Sequence, residues 1–276
     1  MAPRALIVSA HPDDIEFGCA GTVAQWTSEG VEVTYCIVTD GSTGTQDRSL
    51  MGEALATLRL EETTAAARAV GVEDVVWLGY PDGYVEYTLA LRRDLARVFR
   101  AKRPHRFVVM DPTPTIEDRF VNHPDHRAVG QASLDVSLTA GTTPGHFPEL
   151  LDEGLEPWRG LRELWIQGPG AKPVAVDISA TIDKKIEALL SHRSQVGEDA
   201  DRIAEWLRSA TAAAGAPHGF PHAETFQVIS QGPGFHDEDV DDDPDLAWAR
   251  PPLDPAAAPV RRPEGDASST GDVAPA

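Results

Sequence analysis

Largely apolar runs at residues 5–8, 31–38, 75–78 and 106–110 punctuate the first half of the chain. Runs of this length without strict alternation are what strands covered on both faces of a parallel sheet require. Between them lie segments with helical signals. Residues 17–28 carry Ala20, Val23, Ala24 and Trp26 and end at Glu29-Gly30, and the Ala-rich stretch 52–70 stops at Gly71. Residues 89–102 and 125–138 continue the alternation, which predicts an α/β domain with a Rossmann-like, mostly parallel sheet flanked by helices. Further strands are expected at 163–167, 173–177 and 224–229, with helices over 179–190 and 200–214.

The pattern changes at Gln231. From there the chain is Asp-, Pro- and Ala-rich, and Trp248 and Leu253 are too isolated to build a core, so residues 1–230 are expected to form the domain and 231–276 a disordered acidic tail. That tail holds eleven Asp/Glu against Arg250, Arg261 and Arg262, or −8 of the −20 formal charge. So acidic a chain repels phosphate backbones and anionic surfaces, which argues against nucleic acid or membrane partners. The sequence contains no apolar run of about 18 residues and no secretory leader pattern, and a cytoplasmic protein is expected. Cys19 and Cys36 form no paired ligand spacing and are expected to be buried thiols. Oligomeric state is not legible.

The first strand is followed not by a glycine-rich nucleotide fingerprint but by His11-Pro12-Asp13-Asp14. In open α/β sheets ligand sites form at the carboxyl ends of the strands. A second group, Asn122-His123-Pro124-Asp125-His126, follows the fourth strand and opens a helix, so it reaches the same edge. Zinc accepts imidazole nitrogen and carboxylate oxygen, and a catalytic site uses three protein ligands with a fourth position left for water. His11, Asp14 and His126 meet that requirement, leaving Asp13 as candidate general base and His123 as candidate oxyanion stabiliser. Taken singly, each group has a plainer reading: Asp14 as a cap for helix N–H groups, and His-Pro-Asp-His as an ordinary helix start. It is their joint occurrence at two strand ends that favours a metal, with Zn²⁺ expected and Fe²⁺ compatible with the same donors.

At these residues the chain resembles the PIG-L/LmbE-like family of zinc-dependent N-acetylglucosaminyl deacetylases, which includes deacetylases of mycothiol and bacillithiol synthesis. The likeness extends to Glu16-Phe17-Gly18, Gly21-Thr22, Thr39-Asp40-Gly41, Arg59 with Glu62, Leu78-Gly79 and Asp82-Gly83, and later to Lys185, His192, Ser194, Gln195 and residues 223–226. It implies zinc on His11, Asp14 and His126, Asp13 as base, and His123 as the group that stabilises or protonates the intermediate. The expected substrate is an N-acetylated amino-sugar glycoside, with Arg59 and Asp82 near the sugar, although an Arg in a helix is ordinarily a solvated surface residue. His192 reads as a catalytic group or, more plainly, as a hydrogen-bonded structural histidine at a packed helix end, His218 and His222 as residues able to line the pocket, and Phe147 and Trp158 as either a cover for an apolar aglycone or ordinary packing. An amidase acting on mycothiol conjugates is the enzymatic alternative. A metal-stabilised sugar-binding module is the non-enzymatic one, and the presence of Asp13 beside Asp14 argues against it.

Overall fold

The computed structural model describes residues 2–117, 120–168, 170–197 and 199–230; the acidic segment 231–276 lies outside the described residues. Strands β1 (Arg4–Ser9), β2 (Glu32–Thr39), β3 (Asp74–Tyr80) and β4 (Arg106–Val109) alternate with α1 (Asp14–Gly18), α2 (Ala20–Ser28), α3 (Glu53–Ala69) and α4 (Leu89–Lys102). A short hairpin, β5 (Ile116–Glu117) and β6 (Phe120–Val121), precedes α5 (Pro124–Asp135), and α6 (Glu149–Asp152) leads to β7 (Glu163–Gln167) and β8 (Val174–Asp177). Helices α7 (Ile182–Leu190), α8 (Arg193–Val196) and α9 (Ala200–Gly215) then precede β9 (Ala223–Ser230).

The main sheet has seven strands in the order β3-β2-β1-β4-β7-β9-β8. The first five strands in that order pair in parallel, while β9 runs antiparallel to both β7 and β8. The mostly parallel α/β architecture expected from the apolar runs is therefore the architecture found. Along β1, Leu6 and Val8 join a core with α4 and α5 residues, whereas Ala5 and Ile7 join a second core with α2 and α3 residues on the opposite face. Both faces are covered, which is why the run has no polar alternation.

The order of strands reverses between β1 and β4: the chain builds outward through β2 and β3, then returns to the other side of β1. Carboxyl ends of strands diverge at such a point and leave a crevice. The His11 to Asp14 turn leaves β1 there, and α5 delivers His126 from the segment that follows β4.

Local departures from the expected elements have local causes. The helix expected over 17–28 is two helices, because Cys19 adopts φ −145 between α1 and α2. The helix expected over 125–138 ends at Asp135 in one wider turn, Val136–Ala140, which Gly141 N–H closes onto the Val136 carbonyl at 2.8 Å. Among the described residues no helix is long and apolar enough to cross a membrane. Trp158 is 8% exposed, its indole donates to the Pro104 carbonyl at 2.7 Å, and Phe147 packs on the same core. Of the two readings of these aromatics, packing is the one observed.

Helix α5 sits unusually close to the chain leaving β4. A Cβ built on Gly130 would lie 2.5 Å from the Met110 carbonyl oxygen and 3.0 Å from the Pro112 nitrogen, both backbone atoms. Replacing Gly130 by Ala gains up to about 1 kcal/mol of helix propensity, but overpacking against unyielding backbone costs about 1–3 kcal/mol. Gly130→Ala is therefore expected to lower the urea midpoint, with a net loss of roughly 1–2 kcal/mol. An unchanged or raised midpoint would show that α5 has room to move.

Candidate metal centre

The turn after β1 is held in an uncommon conformation. Asp13 adopts φ 88, ψ −24, a left-handed geometry that a non-glycine residue keeps only when its surroundings impose it. Arg59 supplies that restraint from α3. Its guanidinium donates to the Pro12 carbonyl at 2.5 Å, to Asp13 Oδ2 at 3.0 Å and to the Gly41 carbonyl at 3.3 Å. At 3% exposure Arg59 is not the solvated helix residue that its position suggests. The turn then closes on itself, with His11 N–H donating to Asp14 Oδ2 at 2.7 Å.

His11 is engaged on both ring nitrogens. Nε2 lies 3.2 Å from Asp82 Oδ1 and 3.2 Å from Asp125 Oδ2. These carboxylates are themselves fixed: Asp125 accepts from Gly83 N–H at 2.8 Å and Val85 N–H at 3.2 Å, and Asp82 accepts from Thr43 N–H at 3.0 Å. Facing two carboxylates, Nε2 is the nitrogen that keeps its proton when the ring is neutral, as a metal ligand must be, and Nδ1 is then the one with a free lone pair. Nδ1 lies 3.1 Å from His126 Nε2 and 3.4 Å from Asp14 Oδ2, while Asp14 Oδ1 is 3.1 Å from His126 Nε2. Two imidazole nitrogens and a carboxylate from distant parts of the chain thus converge on one point.

Ring nitrogens from His11, His123 and His126 also come within 4.8 Å of one another, as do donors from His11, Asp82 and Asp125. The second group makes the poorer cation site, because neither Asp82 nor Asp125 reaches the adjoining cleft. Asp14 and His126 do line that cleft, so the Nδ1 side of His11 combines suitable donors with solvent access. The donor chemistry fits a divalent ion.

The electrostatics agree with that fit. Burial lowers the His11 pKa, yet Asp125, Asp14 and Asp82 together outweigh it and raise the value to about 11, a measure of how strongly the surrounding carboxylates favour positive charge. Burial raises the Asp14 carboxyl, but His11 and His126 hold it well below the usual carboxylate range. Asp13 moves the other way: burial and the Asp14 charge push it up to about 7 against the pull of Arg59. His123 caps α5 with its Nδ1, which accepts from Asp125 N–H at 3.2 Å. Burial, then the nearby His11, lower its pKa, so the ring is neutral and carries its proton on Nε2 as a donor.

Of the residues singled out in the sequence, His11, Asp13, Asp14, Arg59, Asp82, His123 and His126 come together here, in two tiers. His11, Asp14 and His126 bring two ring nitrogens and a carboxylate together, with the His123 ring centroid 4.7 Å from that of His11. Arg59 and Asp82 lie behind it, with polar atoms committed to Asp13 and His11 and with no part in lining the cleft. His192 is fully buried, 3.2 Å from Glu16 Oε2. His218 and His222 do not line the cleft either; His222 instead meets the Thr211 hydroxyl at 2.9 Å. The residue that sequence reasoning missed is Asp125, whose signal was its place between His123 and His126 at the first turn of a helix.

The cleft has a volume of about 540 Å³ and runs from Asp14 and His126 past Thr115, Gln167 and Trp206. One wall holds a buried ion pair, Lys185 Nζ to Glu224 Oε1 at 2.6 Å, and Glu224 also accepts from Gly21 N–H, Thr22 N–H and the Thr22 hydroxyl.

A family model described as PIG-L, GlcNAc-PI de-N-acetylase, matches residues 6–137. The chain is 31% identical over 227 residues to a diacetylchitobiose deacetylase of Thermococcus kodakarensis, covering 82% of this chain and 83% of that protein. It is 30% identical to a 1D-myo-inositol 2-acetamido-2-deoxy-alpha-D-glucopyranoside deacetylase 2 of Saccharopolyspora erythraea, covering 70% of this chain and 84% of the relative. The solved N,N'-diacetylchitobiose deacetylase of Pyrococcus horikoshii superposes with a TM-score of 0.76 at 32% identity, covering 83% of this chain and 84% of that one.

Removing a carboxylate donor and removing the group that orients an imidazole have separable effects. Asp14→Ala is expected to abolish stoichiometric metal binding, measured by elemental analysis after dialysis. Asp125→Asn is expected to keep the site but weaken affinity about 10–100-fold in chelator competition. Wild-type affinity in both variants would exclude this donor set.

Proposed function

The chain belongs to the PIG-L family of GlcNAc-type deacetylases, and from that membership and the site geometry we propose that it hydrolyses the N-acetyl group of an N-acetylglucosamine-type glycoside, with zinc held by His11, Asp14 and His126. The observation that carries the reading is the meeting of His11 Nδ1, His126 Nε2 and the Asp14 carboxylate within 3.1–3.4 Å of one another at the end of a cleft. A divalent ion bound there supplies Lewis-acid polarisation of the amide carbonyl and acidifies a water in contact with it, to a pKa of roughly 7 in the best-known zinc sites.

The chain's own groups account for the proton traffic. Asp13 is a carboxylate next to a ligand, poised by burial near neutrality, where a general base is most effective. It takes the proton from the attacking water as the carbonyl carbon becomes tetrahedral. Arg59 holds the Asp13 carboxylate through the 3.0 Å contact and clamps the Pro12 carbonyl, which fixes the turn that carries both Asp13 and Asp14. His123 presents its Nε2–H to the carbonyl oxygen as negative charge develops there. The proton held by Asp13 then passes to the departing nitrogen, giving the free amino sugar and acetate with no covalent enzyme intermediate. Arg59 and Asp82, assigned toward the sugar by resemblance, act in this reading through Asp13 and His11 respectively.

Asp13→Asn keeps an oxygen acceptor for Arg59 but cannot take a proton. With zinc content and unfolding midpoint at wild-type values, it is expected to lower kcat about 10²–10⁴-fold for acetate release from N-acetylglucosaminides. His123→Ala is expected to cost about 10²–10³-fold. Near-normal turnover by metal-replete Asp13→Asn would remove Asp13 from the role of base.

A further inference from the structure

The mouth of the cleft carries two aromatic rings that the chemistry of deacetylation does not require. Phe17 lies three residues after Asp14 on α1, a spacing that puts both side chains on one helix face. It is 42% exposed, and Trp206 on α9 is 56% exposed. Their ring centroids are 6.0 Å apart at an interplanar angle of 74°, so the edge of one ring braces the face of the other and the indole keeps an open surface. Both rings line the same cleft as Asp14 and His126. A ring braced in this way at a polar cleft suits a pyranose, whose C–H face packs on an aromatic surface while its hydroxyls turn to polar neighbours. Thr115 and Gln167 supply such neighbours along the cleft.

Charge narrows the choice of ligand. Among the described residues that line the cleft the one Lys or Arg is Lys185, which is buried and spent on Glu224 Oε1 at 2.6 Å and the Phe17 carbonyl at 2.9 Å. Asp14 and Asp111 border the same space. An aglycone bearing a carboxylate or phosphate would lose hydration there and meet like charge, whereas a neutral sugar meets no such penalty.

From this arrangement we propose that Trp206, braced by Phe17, stacks on the second sugar ring of a neutral oligosaccharide of N-acetylglucosamine while the acetamide of the first ring reaches the metal centre. The proposal rests on the deacetylase reading and adds the substrate class to it. The platform acts on KM for substrates that have a second ring and is irrelevant to a monosaccharide, which ends short of it.

The test uses the full zinc-loaded chain and compares kcat/KM for N,N'-diacetylchitobiose, N-acetylglucosamine and N-acetylglucosaminyl malate. The wild-type protein is expected to favour the disaccharide over the malate glycoside by about tenfold or more. In Trp206→Ala the ratio of disaccharide to monosaccharide kcat/KM is expected to fall about tenfold, through KM, and to recover largely in Trp206→Phe. A ratio that stays constant while both activities fall marks Trp206 as structural and overturns the platform, as does a preference for the malate glycoside. Acetate release from none of the three substrates by the wild-type protein overturns the deacetylase reading itself, and the platform with it.

Discussion

The two-sided engagement of the His11 imidazole is the constraint on which the site depends. With Nε2 facing Asp82 and Asp125 at 3.2 Å, the proton and the ring orientation are fixed, and Nδ1 is left to face Asp14 and His126. Asp125 has a further effect through the backbone: its carboxylate gathers Gly83 and Val85 N–H groups from the loop after β3, while its own N–H is capped by His123. Three segments that are remote in sequence, the β1 turn, the β3 loop and the start of α5, are thereby joined through one buried carboxylate. Orientation of this kind raises ligand basicity and removes the entropy cost of assembling donors when a cation binds.

The sheet explains why those segments meet. Reversal of strand order between β1 and β4 opens the crevice into which the β1 turn and α5 project. Gly130 lets α5 approach the Met110 backbone closely enough to bring His126 across. On the far side, β9 returns antiparallel between β7 and β8, and its Glu224 ties α2 and α7 together beneath the cleft. The molecule thus divides its labour: the parallel half builds the hydrolytic end, and the chain after β7 builds most of the wall that a ligand's second part would meet.

Much of this was legible in the sequence, and what was not has physical reasons. Apolar runs located the first four strands because both faces of the sheet are covered, and His-Pro-Asp-Asp with His-Pro-Asp-His marked the residues that converge. Arg59 was misleading because α3 has few large apolar residues to reveal which of its sides faces inward; its burial is decided by Pro12, Gly41 and Asp13, which are remote in sequence. The β5–β6 hairpin has strands of two residues each, too short to show a period. Asp125 lay in plain sight within the motif, but its orienting role depends on the amides of Gly83 and Val85, and no pattern in the chain announces that pairing. Trp158 is buried by a carbonyl partner at Pro104, equally distant from anything local.

The most direct measurement is anomalous diffraction at the zinc edge from crystals of the zinc-loaded protein. A single strong peak is expected at about 2.0–2.2 Å from His11 Nδ1, His126 Nε2 and an oxygen of Asp14, the bonding range for those donors. A peak on the opposite side of the ring, between His11 Nε2, Asp82 and Asp125, would contradict the assignment and reverse the roles of ligand and orienting carboxylate.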